Sequence, residues 1–256
     1  MKKEPEFRLS NSTMNAFIDY KDGKECGLLF KALYIDKTVE RIPSDAMNLG
    51  IWFEYMATGT IPRNGIIPVP ETIKSGSLTA PYMYLMKQLE NFKNLQETWI
   101  DDSVCYNSTI TIDEPIPAKS VMDIAANDFI RDIKVTGNLE GRDKFGWGGD
   151  LHYKKALSQA KFYVWMIWKT MGKIIPFYFD VYSYRDPLEM KIIKVTVSVD
   201  TLEQCESDYK AIYKMIEFEN EVGYEVYPDL VRCSECPLKE TCEFFTNIKT
   251  EILLEI

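Results

Sequence analysis

The stretch "FIRDIKVTG" (residues 129–137) places Asp132 and Lys134 two positions apart in a run of strand-forming residues. Side chains two apart on a strand share a face, so both ionic groups point the same way. Asp123 lies nine residues upstream in "KSVMDIAAN" (119–127). The Asn127-Asp128 pair suits a hairpin turn, which would lay the two runs side by side, antiparallel, with Asp123 and Asp132 meeting across the sheet. Two neighbouring carboxylates repel each other unless a cation lies between them. Their hard oxygens favour Mg²⁺ or Mn²⁺, held together with water and phosphate oxygens. Lys134 could lower the pKa of an attacking water or steady charge developing on phosphorus. The face therefore reads as one that handles a metal ion and a phosphodiester. An exposed ion pair on an edge strand is the competing reading, which the Asp-x-Lys spacing alone also fits.

The elements that must position these residues are readable in order. A first helix is predicted within "STMNAFIDYKDGKECGLLFKALYI", with Ser12 or Thr13 as its cap, and a second over 44–59, capped by Ser44 and stopped near Gly59. Residues 60–78, rich in Gly, Pro and Ser, read as a loop. A third helix is predicted over 81–99, apolar at Leu85, Leu89, Phe92, Leu95 and Trp99. Strands follow at 107–113, 119–127 and 128–136, then a long helix closed by Gly172, two more strands, and a last helix over about 201–219. That order predicts an α/β (α+β) fold, a central mixed sheet flanked by helices, in a single domain spanning 1–256.

Composition narrows the classes. The 256 residues carry a formal net charge of −9 and are 46% hydrophobic, ordinary for a globular chain. No apolar run is long enough to span a membrane, and "MKKEPEFRLSNS" has no signal-like apolar core. A cytoplasmic location is the expectation, with the six cysteines reduced. Overall acidity argues against a nucleic-acid partner, but its distribution does not. Residues 200–256 hold 14 acids and 5 Lys/Arg, a net of −9, whereas residues 131–173 hold 9 Lys/Arg and 4 acids, a net of +5. The basic segment begins at the Asp-x-Lys strand.

Cys233-x2-Cys236-x5-Cys242 is a second constellation. A C-x-x-C turn lets two thiolates meet one metal, and three clustered cysteines leave a tetrahedral site one ligand short. Structural zinc and thiols that bind nothing are both open readings. Cys105 and Cys205 fit no group and read as core residues.

Taken in order, these motifs resemble the PD-(D/E)XK nuclease superfamily, and most closely its RecB/AddB-type branch of exonucleases, with phage and CRISPR-associated iron–sulfur members. The match runs over about residues 9–165: Ser10-Asn11-Ser12 before a helix, Cys26 before an apolar run, Gly50 through Glu54, Asp123, Asp132 with Lys134, and Gln159 through Tyr163. The resemblance implies that Asp123 and Asp132 bind Mg²⁺ or Mn²⁺ with help from the Ile133 carbonyl. It implies that Glu54 completes the acidic cluster and that Lys134 is the catalytic lysine. Gln159 and Tyr163, four apart on one helix face, would support the site or contact DNA. A polar residue and a core aromatic on an amphipathic helix is the competing reading of that pair. Cys26 would join Cys233, Cys236 and Cys242 around a structural 4Fe–4S cluster, with Zn²⁺ the alternative. Ser120 stands where the branch often has glycine, and the only histidine, His152, lies just before the glutamine helix rather than in the first helical motif.

The implied function is a metal-dependent DNA exonuclease, hydrolysing phosphodiester bonds with a metal-activated water. Its substrate would be DNA ends or single strands, in phage or host recombination or repair, with a recombination or helicase protein as partner and away from any membrane. Two alternatives stand beside it. One is a non-catalytic DNA-binding or recombination accessory that keeps the nuclease fold. The other is a cluster- or zinc-stapled interaction protein using its acidic C-terminal region.

Overall fold

Ser44 sets the start of the helix that carries Glu54. Its backbone is extended, and its hydroxyl accepts the Met47 N–H at 3.3 Å. The helix, α3 (Asp45–Thr58), ends at Gly59, whose φ of 72° is the left-handed conformation glycine takes without a Cβ clash. The computed structural model describes residues 7–62, 65–99, 103–142, 146–148, 150–227 and 230–245; the side chains of 150–155 and 230–231 also lie outside the description. The remaining helices are α1 (Asn11–Lys21), α2 (Gly27–Phe30) running into a π-helical turn (Lys31–Ile35), α4 (Ala80–Gln96), α5 (Asp150–Met171), α6 (Val199–Val222) and α7 (Leu230–Ser234). The strands are β1 (Cys105–Ile112), β2 (Ala118–Ala125), β3 (Ile130–Thr136), β4 (Phe177–Ser183) and β5 (Met190–Val195).

The chain divides into two compact units. One comprises Pro43–Asp113 and Ala118–Glu206; the other comprises Met1–Ile42, Glu114–Pro117 and Ser207–Ile256. The first unit holds a single five-stranded sheet in the order β1-β2-β3-β4-β5. All neighbours pair antiparallel except β3 and β4, which are parallel. Parallel neighbours need a crossover connection, and α5 supplies it. This is the mixed sheet flanked by helices, in the α/β class, that the element order predicts. One face packs on α3 and α4 through Leu49, Phe53, Leu85, Phe92, Ile124 and Ile133. The other receives α5, whose Tyr163 hydroxyl donates to the Val121 carbonyl at 2.9 Å.

In the second unit, Tyr20 is the centre of an aromatic core with Phe17, Phe30 and Tyr224. Its hydroxyl donates to Glu219 at 3.0 Å and accepts the Glu225 N–H at 3.0 Å, while Lys21 pairs with Glu219 at 2.6 Å. These bonds fasten α1 to the later part of α6. Two sequence expectations need correcting. The cap of α1 is Ser10, not Ser12 or Thr13: its hydroxyl accepts the Thr13 N–H at 3.1 Å, and the helix starts at Asn11. Cys105 is exposed at the start of the edge strand β1, not in the core; Cys205 is buried as expected. Among the described residues no helix is long and apolar enough to cross a membrane.

Candidate active site

Alternation along β3 sends Ile133 into the α3–α4 core and leaves Asp132 and Lys134 on the α5 face. Alternation along β2 does the same for Ile124 and Asp123. The β2–β3 ladder pairs Ala125 with Ile130 and Ile124 with Arg131. The ladder ends there, with Asp123 and Asp132 the next residue along each strand. There the Asp123 carboxylate accepts the Ile133 N–H at 2.8 Å, bonding a side chain to the neighbouring backbone.

Asp132 is almost fully enclosed, at 1% exposure. Its Oδ1 accepts from Gln159 Nε2 of α5 at 2.6 Å, and its Oδ2 forms an ion pair with Lys134 Nζ. Tyr163, one turn on from Gln159, stands near enough to Asp132 and Asp123 to feel both charges. The six side chains singled out in the sequence, Glu54, Asp123, Asp132, Lys134, Gln159 and Tyr163, thus fall within one electrostatic neighbourhood. The His152 side chain lies outside the described residues. Gly50, on the helix turn before Glu54, faces Val135 with room for a methyl group, so no close approach requires glycine there.

The electrostatics follow from enclosure. Burial pushes the Asp123 carboxyl well above its usual range, and repulsion from Asp132 and Glu54 pushes it further; Lys134 and the Ile133 N–H pull the other way. Burial alone would lower the Lys134 pKa, but Asp132 and Asp123 override it and hold the ammonium charged. Burial, then the same two carboxylates, pushes the Tyr163 hydroxyl up to about 12. Three carboxylates against one lysine is an arrangement that an added cation relieves. Hard oxygen donors suit Mg²⁺ or Mn²⁺, so the donor set fits such an ion. Among the described residues, no three His, Cys, Asp or Glu side chains are gathered closely enough to hold one as they stand.

Behind the site is an ion pair that sequence reasoning missed. Arg131, on the α3–α4 face of β3, pairs with Asp180 of β4 at 2.7 Å. Its guanidinium lies 4.4 Å from the Tyr178 ring centroid and 5.3 Å from that of Trp99. The signal was a lone acid in the aromatic run "FYFDVYS", though nothing local names its partner.

In the other unit, Cys26, Cys233, Cys236 and Cys242 line one pocket, with Leu28, Leu29, Val226 and Phe245 among its apolar walls. The C-x2-C turn is closed by the Cys236 N–H on the Cys233 carbonyl at 3.3 Å. Burial pushes the Cys236 thiol up, and the other three cysteines are near enough to add to that. Four thiols lining one pocket have the chemistry for a thiolate-bound iron–sulfur cluster or zinc. Gly27, next to Cys26, donates to the Glu225 carbonyl at 3.1 Å, and a Cβ there would lie 2.4 Å from that oxygen. Gly27→Ala is therefore expected to cost about 1–3 kcal/mol by overpacking and to loosen the cysteine pocket. Thermal melting together with metal content per chain checks this; a variant equal to wild type in both would show the contact to be slack.

Comparison with solved structures agrees with this fold. A crystal structure from Eubacterium rectale named "Putative exonuclease" superposes with a TM-score of 0.65 at 15% identity, covering 94% of this chain and 88% of that one. A second, SSO0001, overlaps more loosely, with a TM-score of 0.34 at 11% identity over 84% of this chain and 94% of that one. No family model matches the chain, and no curated protein does. At such identity the likeness is one of fold alone: an α/β fold shared over nearly the whole chain.

Proposed function

We propose that the chain is a Mg²⁺- or Mn²⁺-dependent DNA exonuclease of the RecB/AddB-like PD-(D/E)XK type. The observation that carries this reading is the single face formed by Asp123 of β2 and Asp132 and Lys134 of β3, backed by Gln159 of α5. When bound, the divalent ion would supply a hydroxide-like water at neutral pH and offset charge on the phosphate. Asp123, Asp132 and the Ile133 carbonyl are the oxygen donors for it, with Glu54 the third carboxylate. Gln159 holds one oxygen of Asp132 and so fixes the plane of that carboxylate. Lys134 keeps its charge beside Asp132 and donates hydrogen bonds to the oxygen on which charge develops. The net +5 segment from residue 131 to 173 offers the positive charge that a phosphate backbone needs. Cys26, Cys233, Cys236 and Cys242 would hold a structural 4Fe–4S cluster, or Zn²⁺ in its place, to be read by iron, sulfide and zinc analysis.

End-labelled linear DNA is the test substrate, incubated with Mg²⁺ or Mn²⁺ and with EDTA, beside Asp132→Ala. Degradation that needs the metal, and falls by about 10³-fold or more in the variant, is the expected result. A second reading is a DNA-binding accessory that kept the fold without catalysis. Tight DNA binding with no cleavage by folded wild-type protein would select it.

A further inference from the structure

The outer side of α3 and α4 carries a groove that the active site does not use. It measures about 330 Å³ and is lined by Ile51, Ile66, Val69 and Tyr82, with Asp45 and Glu71 beside them. That size is within the range of sites that take a ligand's side chains, roughly 300–1,000 Å³. We infer that this groove docks a short segment of a partner protein that carries lysine or arginine between aliphatic residues.

Three features argue for that occupant. The first is charge: the described lining holds two acids and no base. Burial pushes the Tyr82 hydroxyl up, with Glu71 and then Asp45 adding to it, so both carboxylates bear on the groove. An acidic lining repels a phosphate backbone and attracts an ammonium or guanidinium. The second is exposed apolar surface beside those acids. Val69 is 86% exposed and Ile66 66% exposed, on one short segment. Aliphatic side chains left in water beside a groove are surface that an apolar ligand group can cover. The third is preorganisation. The 60–78 loop is pinned by a Thr72–Leu78 bridge and by the Thr79 N–H on the Glu71 carbonyl at 2.9 Å, which fixes Glu71 beside the groove. Pro62, Pro68 and Pro70 stiffen the approach. A surface already ordered loses little entropy when it binds. An extended segment would lay its aliphatic side chains on Ile51, Ile66 and Val69 and bring its cationic heads to Asp45 and Glu71.

The test uses two arrays of randomised hexapeptides, one built from Lys, Arg, Ile, Leu and Val, the other with Asp and Glu replacing the bases. The full chain should be retained by a subset of the basic array and not by the acidic one. The best binder, titrated by fluorescence polarisation, should bind about ten-fold or more weakly to Val69→Asp and to the Asp45→Lys/Glu71→Lys double variant. In wild type the same peptide should shift the methyl resonances of Ile51 and Ile66, a readout that needs no variant. The inference is overturned if neither array retains the chain or both retain it equally. It is equally overturned if binding ignores the variants while those methyl resonances stay still. A wild-type dimer in sedimentation that Val69→Asp disperses would instead make a second copy the occupant.

Discussion

On the proposed nuclease reading, Lys134→Ala is expected to slow DNA cleavage about 10²–10³-fold while DNA affinity holds. The lysine stands on β3 beside Asp132, its side chain about a third exposed at 33%. Burial works to lower its pKa, yet Asp132 and Asp123 keep it above the ordinary lysine range. It therefore stays protonated through neutral and mildly alkaline pH, and its role under this reading is that of a fixed cation and donor, not a general base. Cleavage should show no rise with pH between about 7 and 9 attributable to lysine deprotonation. Lys134→Arg should not restore the rate, because a broad planar guanidinium cannot take the place of a compact ammonium in an enclosed site. Single-turnover rates on end-labelled DNA, measured with binding and with melting temperature, separate the cases. Loss of rate alone supports the role; equal loss of affinity and thermal stability would reduce Lys134 to a structural counter-ion.

Arg131→Met is expected to destabilise the chain by about 3–5 kcal/mol, a fall of about 10 °C in Tm. Asp180 is fully buried at 0% exposure, and without Arg131 its charge would have no partner in that apolar layer. Asp180 also gives stability a pH dependence. Burial pushes its carboxyl up to about 6 from 3.8, against the pull of Arg131. With a raised carboxyl, the folded protein takes up a proton more readily than the unfolded chain does. Its protonation therefore adds stability as pH falls from about 6 towards 4, and that contribution is lost as pH rises through 6. Asparagine cannot take up the proton, so wild type should gain stability relative to Asp180→Asn between about pH 7 and pH 5. Urea unfolding of both proteins across that range reads the difference; a constant gap would show that Asp180 keeps one charge state throughout.

Both predictions turn on β3, and the two sides of that strand were not equally legible. The α5 face was. Asp-x-Lys alternation, the Asn127-Asp128 turn and the spacing to Asp123 are local signals, and the hairpin forms with the register they imply. Gln159 and Tyr163 are legible only through the family resemblance, their spacing adding that they share a helix face, and α5 brings both near Asp132. Ser44 and Gly59 marked their helix because caps act within four residues. The α3–α4 face was hidden. Arg131 and Asp180 are far apart in the chain, and their pairing depends on β3 and β4 lying side by side, which no local pattern states. Gln88 is similar: a polar residue on an apolar helix, it is fully buried because the Ser183 and Glu189 carbonyls accept its amide at 3.0 and 2.9 Å. Cys105 was misplaced because a cysteine in a strand suggests the interior, whereas β1 is the edge of the sheet.

The parallel pairing of β3 with β4 also bears on how the protein is made. The hairpin that carries Asp123, Asp132 and Lys134 is contiguous and needs only its turn to close. Two of its neighbours come later in synthesis: α5 brings Gln159, and β4 pairs along the far side of β3 only after that crossover has been translated. Pairings between distant segments form after local ones because a larger loop must close first. A nascent chain stopped short of α5 would present the acids and the lysine with no Gln159 to hold Asp132 and no β4 along the far side of β3. On the proposed reading, a ribosome would carry the parts of the nuclease site for some time before it carried the site.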